Sequence, residues 1–289
     1  MLSKKAFYKL LENGPLILDG ATGSNLQKMG MPRGCCTETW ILENPQALIT
    51  LQTQYLEAGS QIIYAPTFQA QPIALEKVGL EKQTEQINEQ LVRLSRSVSD
   101  DILVAGNLTT LAAYTDSFDE NCFELLVENY RRQIQGLLNG GADLLAAETL
   151  MYPTEAEAIL TAAELEGAQT VLYTFTMQPD GSLFSGRDAA PILQELEQSG
   201  AAAVGFNCVA ADQMLPGLVS RLRRYVKGPL VCKPNAGNPV IGPDGLPHYP
   251  MSPAEFSGIL KDCQQMGASV LGGCCGTSPE YIRNMIDIL

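Results

Sequence analysis

The sequence predicts a closed (β/α)8 TIM barrel, and three observations carry that prediction. Short apolar runs of strand length alternate with longer amphipathic stretches along all 289 residues, the pattern of βα units wound around a parallel sheet. There are eight such runs, and no linker rich in Pro, Ser or charge separates them, as one barrel requires. A weak repeat joins the units: in EAGSQII, NGGADLL, QSGAAAV and QMGASVL a helical stretch stops on glycine and an apolar run begins at once. Gly59, Gly141, Gly200 and Gly267 are therefore predicted as left-handed helix ends that turn the chain back into the barrel. One domain over residues 1–289 follows, since α/β barrels use about 250 residues. A doubly wound open sheet is the alternative, but DGATGSN after the first run is neither G-x-G-x-x-G nor a Walker motif.

The strand-like runs are PLILDG (15–20), QIIYAP (61–66), ILVAGN (102–107), ADLLAAET (142–149), TVLYTFT (170–176), AAVGFN (202–207), PLVCKPN (229–235) and ASVLGGC (268–274). Each is short, apolar and bounded by turn residues. Amphipathic stretches at 45–58, 122–138, 154–166, 189–198 and 253–266 supply helices between them. Polar or thiol residues close nearly every unit: Asp19-Gly20, Thr67, Asn107, Glu148-Thr149, Asn207-Cys208, Lys233-Pro234-Asn235 and Cys274-Cys275. In a barrel these strand ends converge on one mouth, where catalytic groups sit.

Composition narrows the function. Only 18% of residues are charged and 45% are hydrophobic, which excludes disorder and implies a large buried fraction. The excess of 32 Asp+Glu over 19 Lys+Arg gives a net charge of -13, which repels nucleic-acid phosphates and anionic lipid heads. The uncharged runs at 102–115 and 263–279 are too short or too rich in Gly, Gln and Ser to span about 30 Å of hydrocarbon. Lys9 and Glu12 interrupt the apolar core that a secretory signal would need, so a cytoplasmic location is expected. The eight cysteines are then thiols and candidate ligands rather than a disulfide framework. The single histidine, His248, stands in GPDGLPHYP, which reads as a surface loop, so His-based metal sites and a Ser-His-Asp triad are disfavoured.

Asp19 and Glu148 each abut an apolar run, and a buried carboxylate needs a cationic partner; a ligand ammonium would serve. Cys208, Cys274 and Cys275 lie far apart in sequence, yet a barrel brings the ends of strands six and eight to one rim. Cys274 and Cys275 can share a target only if the chain leaves strand geometry there, and the glycines at 272, 273 and 276 permit that bend. Three thiolates with an open fourth position suit a catalytic Zn²⁺. Cys35-Cys36 is the competing pair, in a loop before Trp40, which staples that loop to the next helix. Cys122, Cys232 and Cys263 read as small buried hydrophobes.

DGATGSNLQ, APTFQA, AAETL, GFNC, KPNAG and GGCCGTSPEYI together resemble the homocysteine S-methyltransferases over residues 16–285, with the homocysteine-activating module of cobalamin-dependent methionine synthase the nearer pattern. The resemblance implies a zinc enzyme on a (β/α)8 barrel, with thiolate ligands at Cys208, Cys274 and Cys275. It implies that Asp19, Gly20 and Glu148 hold the amino-acid end of homocysteine, with Thr67 and Asn235 as further substrate-side strand ends. Strand two departs from the pattern, reading YAP where methionine synthase modules usually have TNT. The resemblance implies methylation of homocysteine to methionine, and its methionine-synthase-like pattern favours a methylcorrinoid (methylcobalamin) donor, which a chain with room for one barrel would receive on a separate protein. A sulfonium or betaine donor would instead need an aromatic cage, for which Tyr64, Phe68, Tyr114, Tyr152 and Phe175 are candidates. A zinc- or thiol-binding barrel without transfer activity is the non-enzymatic alternative.

Overall fold

Residues 1–114, 122–243 and 247–289 are described by the computed structural model. Eight parallel strands form the barrel: β1 (Leu16–Ile17), β2 (Ile62–Tyr64), β3 (Leu103–Thr109), β4 (Leu144–Leu150), β5 (Val171–Phe175), β6 (Ala203–Ala210), β7 (Leu230–Asn235) and β8 (Val270–Leu271). Sequential neighbours pair from β2 to β8, and β8 pairs with β1. The ring closes between β1 and β2 through one parallel bridge, Leu18 to Ile62. Gln61 reinforces this seam: its amide donates to the Ile17 carbonyl at 2.8 Å and its side-chain oxygen accepts from the Ile17 amide at 2.9 Å. The expected closed barrel is therefore present, and the open sheet is excluded.

The predicted helices form at Pro45–Ala58, Phe123–Asn139, Pro153–Leu165, Ala189–Gln198 and Pro253–Gln265. Thr84–Arg96 and Leu215–Arg223 complete the second and sixth units. Gly59, Gly141, Gly200 and Gly267 all have positive φ, from 87° to 112°, as the repeat predicted. Two findings depart from the sequence reading. The helix Lys4–Leu10 precedes the barrel and inserts Phe7 into its interior. The segment read as a loop around His248 contributes an exposed antiparallel ribbon, Val240–Ile241 against Pro247–His248; residues 244–246 of GPDGLPHYP lie outside the described residues. Among the described residues, no helix is long and apolar enough to cross a membrane.

The apolar runs look continuous, but the pleat sorts them into two cores. Leu16, Leu18, Ile62, Tyr64, Ala105, Leu144, Ala146, Leu172, Ala203, Val231 and Val270 pack inside the barrel with Phe7. Ile17, Ile63, Val104, Leu145, Ala147, Tyr173, Val204, Cys232 and Leu271 face the helices. Because strand side chains alternate with period two, the inward positions that follow on these strands are Asn107, Glu148, Thr174, Lys233 and, beyond Gly205, Asn207, all five polar and buried. The upper layer of the barrel interior is thus a hydrogen-bonded network at the C-terminal ends of the strands.

Candidate active site and metal centre

Glu148 is the centre of that network. Its Oε1 accepts from Asn107 Nδ2 at 3.0 Å, and its Oε2 accepts from Lys233 Nζ at 3.2 Å and Asn207 Nδ2 at 3.4 Å. Burial raises the Glu148 carboxyl pKa, while Lys233 counters that rise. For Lys233, burial opposes the charge, but Glu148, Cys274 and Asp19 outweigh it and hold the ammonium well above its ordinary range. The Lys233 ammonium also lies 4.8 Å from the Tyr64 ring centroid, a cation–π contact. Asp19 follows β1 and is 1% exposed. Its Oδ2 accepts from the Tyr64 amide at 2.8 Å, while Oδ1 has no hydrogen-bond partner. Burial pushes its carboxyl up to about 7, against the pull of Lys233 and the Tyr64 amide. Asn107 Oδ1 is likewise buried and unpartnered.

Two strand ends are distorted where this layer meets the rim. Pairing shifts register between Ala147 and Leu150 and between Asn207 and Ala210. Within these irregularities Thr149 and Cys208 adopt φ of 59° and 57°, a left-handed conformation that costs a non-glycine residue of order 1–3 kcal/mol. Asn207 holds the first: its Oδ1 accepts from the Thr149 amide at 2.6 Å and its Nδ2 donates to the Thr149 hydroxyl at 2.7 Å. Asn235 holds the second, its Nδ2 donating to the Cys208 carbonyl at 3.1 Å while its Oδ1 accepts from the Cys275 amide at 3.1 Å. One side chain therefore positions the backbones of two cysteines.

After β8 the chain leaves strand geometry, as the glycines suggested. A Cβ on Gly272 would lie 2.7 Å from Leu18 Cβ, and Gly276 turns at φ 82°. The Gly273 amide donates to the Asp19 carbonyl at 3.0 Å and the Cys274 amide to the Pro234 carbonyl at 2.7 Å. Cys274 and Cys275 thereby converge with Cys208: the Cys208 Sγ lies 3.0 Å from Cys274 Sγ and 3.8 Å from Cys275 Sγ, with all three sulfurs within 4.8 Å of one another. Two Zn–S bonds of about 2.3 Å at a tetrahedral angle separate their sulfurs by about 3.8 Å, so these donors suit one tetrahedral face. Hydrogen bonds from Cys208 and Cys274 pull the Cys275 thiol well below its ordinary range, and the Tyr249 hydroxyl also bonds to it. Three thiols this close could together hold a metal ion.

A cavity of about 350 Å³ joins these groups, and its walls include Asp19, Gly20, Tyr64, Asn107, Glu148, Thr149, Cys208, Lys233, Cys274 and Cys275. Thr67 and Asn235 are buried but are not on its wall. The Thr67 hydroxyl bridges the Asn107 backbone, donating to its carbonyl at 2.8 Å and accepting from its amide at 3.0 Å. Gly20 is required by packing, since a Cβ would lie 2.7 Å from the hydroxyls of Thr277 and Tyr55. Cys35 is exposed and Cys36 half-buried, and neither joins the thiol cluster. Cys232 and Cys263 are buried and hydrogen-bonded to each other, while Trp40 packs against the core. Sequence reasoning set Asn107, Asn207 and Lys233 at strand ends on the barrel mouth but gave them no role, for which the period-two alternation of the strands was the available signal, and it did not place Tyr249 in the site.

Residues 16–289 match the family model described as homocysteine S-methyltransferase. Homocysteine S-methyltransferase 1 of Zea mays is 28% identical, with 96% of this chain and 94% of that protein covered. Methionine synthase of Mycobacterium leprae (strain TN) is 25% identical over 93% of this chain, which spans about a quarter (24%) of that protein's length. Among solved structures, the metallated form of the homocysteine methyltransferase MmuM from Escherichia coli superposes with a TM-score of 0.84 at 26% identity, covering 97% of this chain and 99% of that one. With its barrel, its thiol cluster and a family match running nearly end to end, the chain belongs to the homocysteine S-methyltransferase family.

Proposed function

We propose that this protein binds homocysteine with its sulfur on a zinc ion held by Cys208, Cys274 and Cys275, and transfers a methyl group to that sulfur to make methionine. The observation that carries the reading is the junction, in one cavity, of three thiols with an acidic layer that is not fully satisfied. Bound zinc would remove the proton of a thiol whose free pKa is about 8.5 and keep its sulfur nucleophilic. Positioning falls to the protein's own groups. An amino-acid ammonium carries three N–H donors, which Asp19 Oδ1, Asn107 Oδ1 and Glu148 can accept. Thr67 and Asn235 act through the backbones they hold. The corrinoid donor anticipated from the motifs would be presented over the barrel mouth, whereas a sulfonium or betaine would share the cavity with homocysteine.

Calorimetry with homocysteine, serine and methionine, with and without zinc, tests this reading. Homocysteine alone should bind, and only to the zinc-loaded protein. Asp19→Asn should weaken that binding about ten- to a hundredfold, the scale of a hydrogen bond to a charged group, and leave zinc content unchanged. The bound thiol sheds its proton and Asp19 binds the ammonium as a carboxylate, so both equilibria favour deprotonated groups. Affinity should therefore rise from about pH 6 to about pH 8, with proton release on binding. Zinc-independent binding, or affinity indifferent to pH, would contradict the reading.

A further inference from the structure

Glu38 is a buried carboxylate on the same cavity that the proposed chemistry at the sulfur does not use. It belongs to the helix Thr37–Glu43, is 1% exposed and lies on the wall with Thr37, Phe68, Gln69 and Ser24. Its Oε1 accepts from the Gln69 amide at 2.8 Å and its Oε2 from the Cys36 thiol at 3.5 Å. Both donors are neutral, and Glu38 takes part in no ion pair among the described residues. Lys233 is the one Lys or Arg among the described residues lining the cavity, and its ammonium is engaged by Glu148 and Tyr64. Ser24 Oγ, on the same wall, is buried without a hydrogen-bond partner. A buried carboxylate without a cation is costly, and a cavity with this charge balance selects positive ligands.

The aromatic cage suggested by the sequence is thin. Tyr64 and Phe68 line the cavity, but Tyr114, Tyr152 and Phe175 do not, and Tyr64 already carries Lys233 over its ring. A cation held here must rely on a carboxylate.

We propose that Glu38 is the donor-side specificity residue, pairing with the positive charge of a small onium methyl donor, a sulfonium or a quaternary ammonium, bound in the cavity with homocysteine. This rests on the reading of homocysteine as the acceptor. In the transfer, an electron pair of the homocysteine thiolate forms the new S–CH3 bond. The methyl bond to the donor breaks, its electron pair stays on the donor sulfur or nitrogen, and the donor leaves as a neutral thioether or amine. The donor's charge thus disappears along the reaction. An interaction with that charge is stronger in the bound donor than in the transition state, so its loss raises the donor KM without lowering kcat. A methylcorrinoid presented by another protein gains nothing from Glu38.

The test uses the zinc-loaded full chain with saturating homocysteine and, in turn, S-methylmethionine, betaine and free methylcobalamin. Glu38→Gln keeps an acceptor for the Gln69 amide and removes only the charge. It should raise the KM of the onium donor about tenfold or more, the scale of one charge-assisted contact, with kcat unchanged or higher and homocysteine affinity and zinc content intact. Glu38→Asp, which keeps the charge, should lie between Glu38→Gln and the parent, and Cys36→Ala should match the parent. An unchanged donor KM in Glu38→Gln, or transfer from methylcobalamin alone, overturns the role of Glu38 while leaving the homocysteine reading intact. Failure of the zinc-loaded parent to bind homocysteine overturns that reading, and the role of Glu38 with it.

Discussion

Replacing Lys233 with methionine is expected to destabilise the protein by about 3–5 kcal/mol, the range for removing one partner of a buried ion pair. Both Lys233 and Glu148 are almost completely buried, and their 3.2 Å contact is the one ion pair among the described residues that lies inside the barrel. Without the ammonium, Glu148 and Asp19 would share a low-dielectric layer with no cation. Adding Glu148→Gln to Lys233→Met should recover much of the loss, because the pair is then removed rather than broken. Urea denaturation of the two single variants and the double variant measures this. A Lys233→Met protein as stable as the parent would mean that the interior carboxyls are neutral in the folded state.

Cys274→Ser is expected to lose most of its zinc. If four ligands share the roughly 10–16 kcal/mol that structural zinc sites supply, one thiolate accounts for about 3 kcal/mol, on the order of a hundredfold in affinity. Metal analysis after dialysis should show the loss in Cys274→Ser and in Cys208→Ser. Cys35→Ser, altered at an exposed thiol outside the cluster, should keep its zinc. The reverse pattern would move the metal site to the Cys35-Cys36 loop.

The barrel was legible because its signals are local. Eight apolar runs and four glycines at helix ends fall where the structure has strands and left-handed turns. The convergence of Cys208, Cys274 and Cys275 was legible because it needed only the barrel's closure and a glycine-rich bend. Lys233 was placed at the mouth but not paired with Glu148, because that partner lies three strands away on the ring and 85 residues away in the chain. Beside Pro234 it reads as ordinary polarity returning at a strand end. Asn207 was hidden for a related reason: it acts by holding Thr149 in a left-handed conformation, and strain of that kind leaves no mark in composition or periodicity. Thr67 and Asn235 were expected at the substrate, and the structure gives their side chains backbone partners instead.

Zinc-edge X-ray absorption before and after homocysteine addition tests the central claim, that the thiol cluster presents homocysteine as a metal-bound thiolate. Three sulfur ligands at about 2.3 Å should become four on homocysteine binding, with one lighter ligand lost and no change when methionine is added instead. Homocysteine that binds, by calorimetry on the same sample, while the sulfur count stays at three would contradict the account.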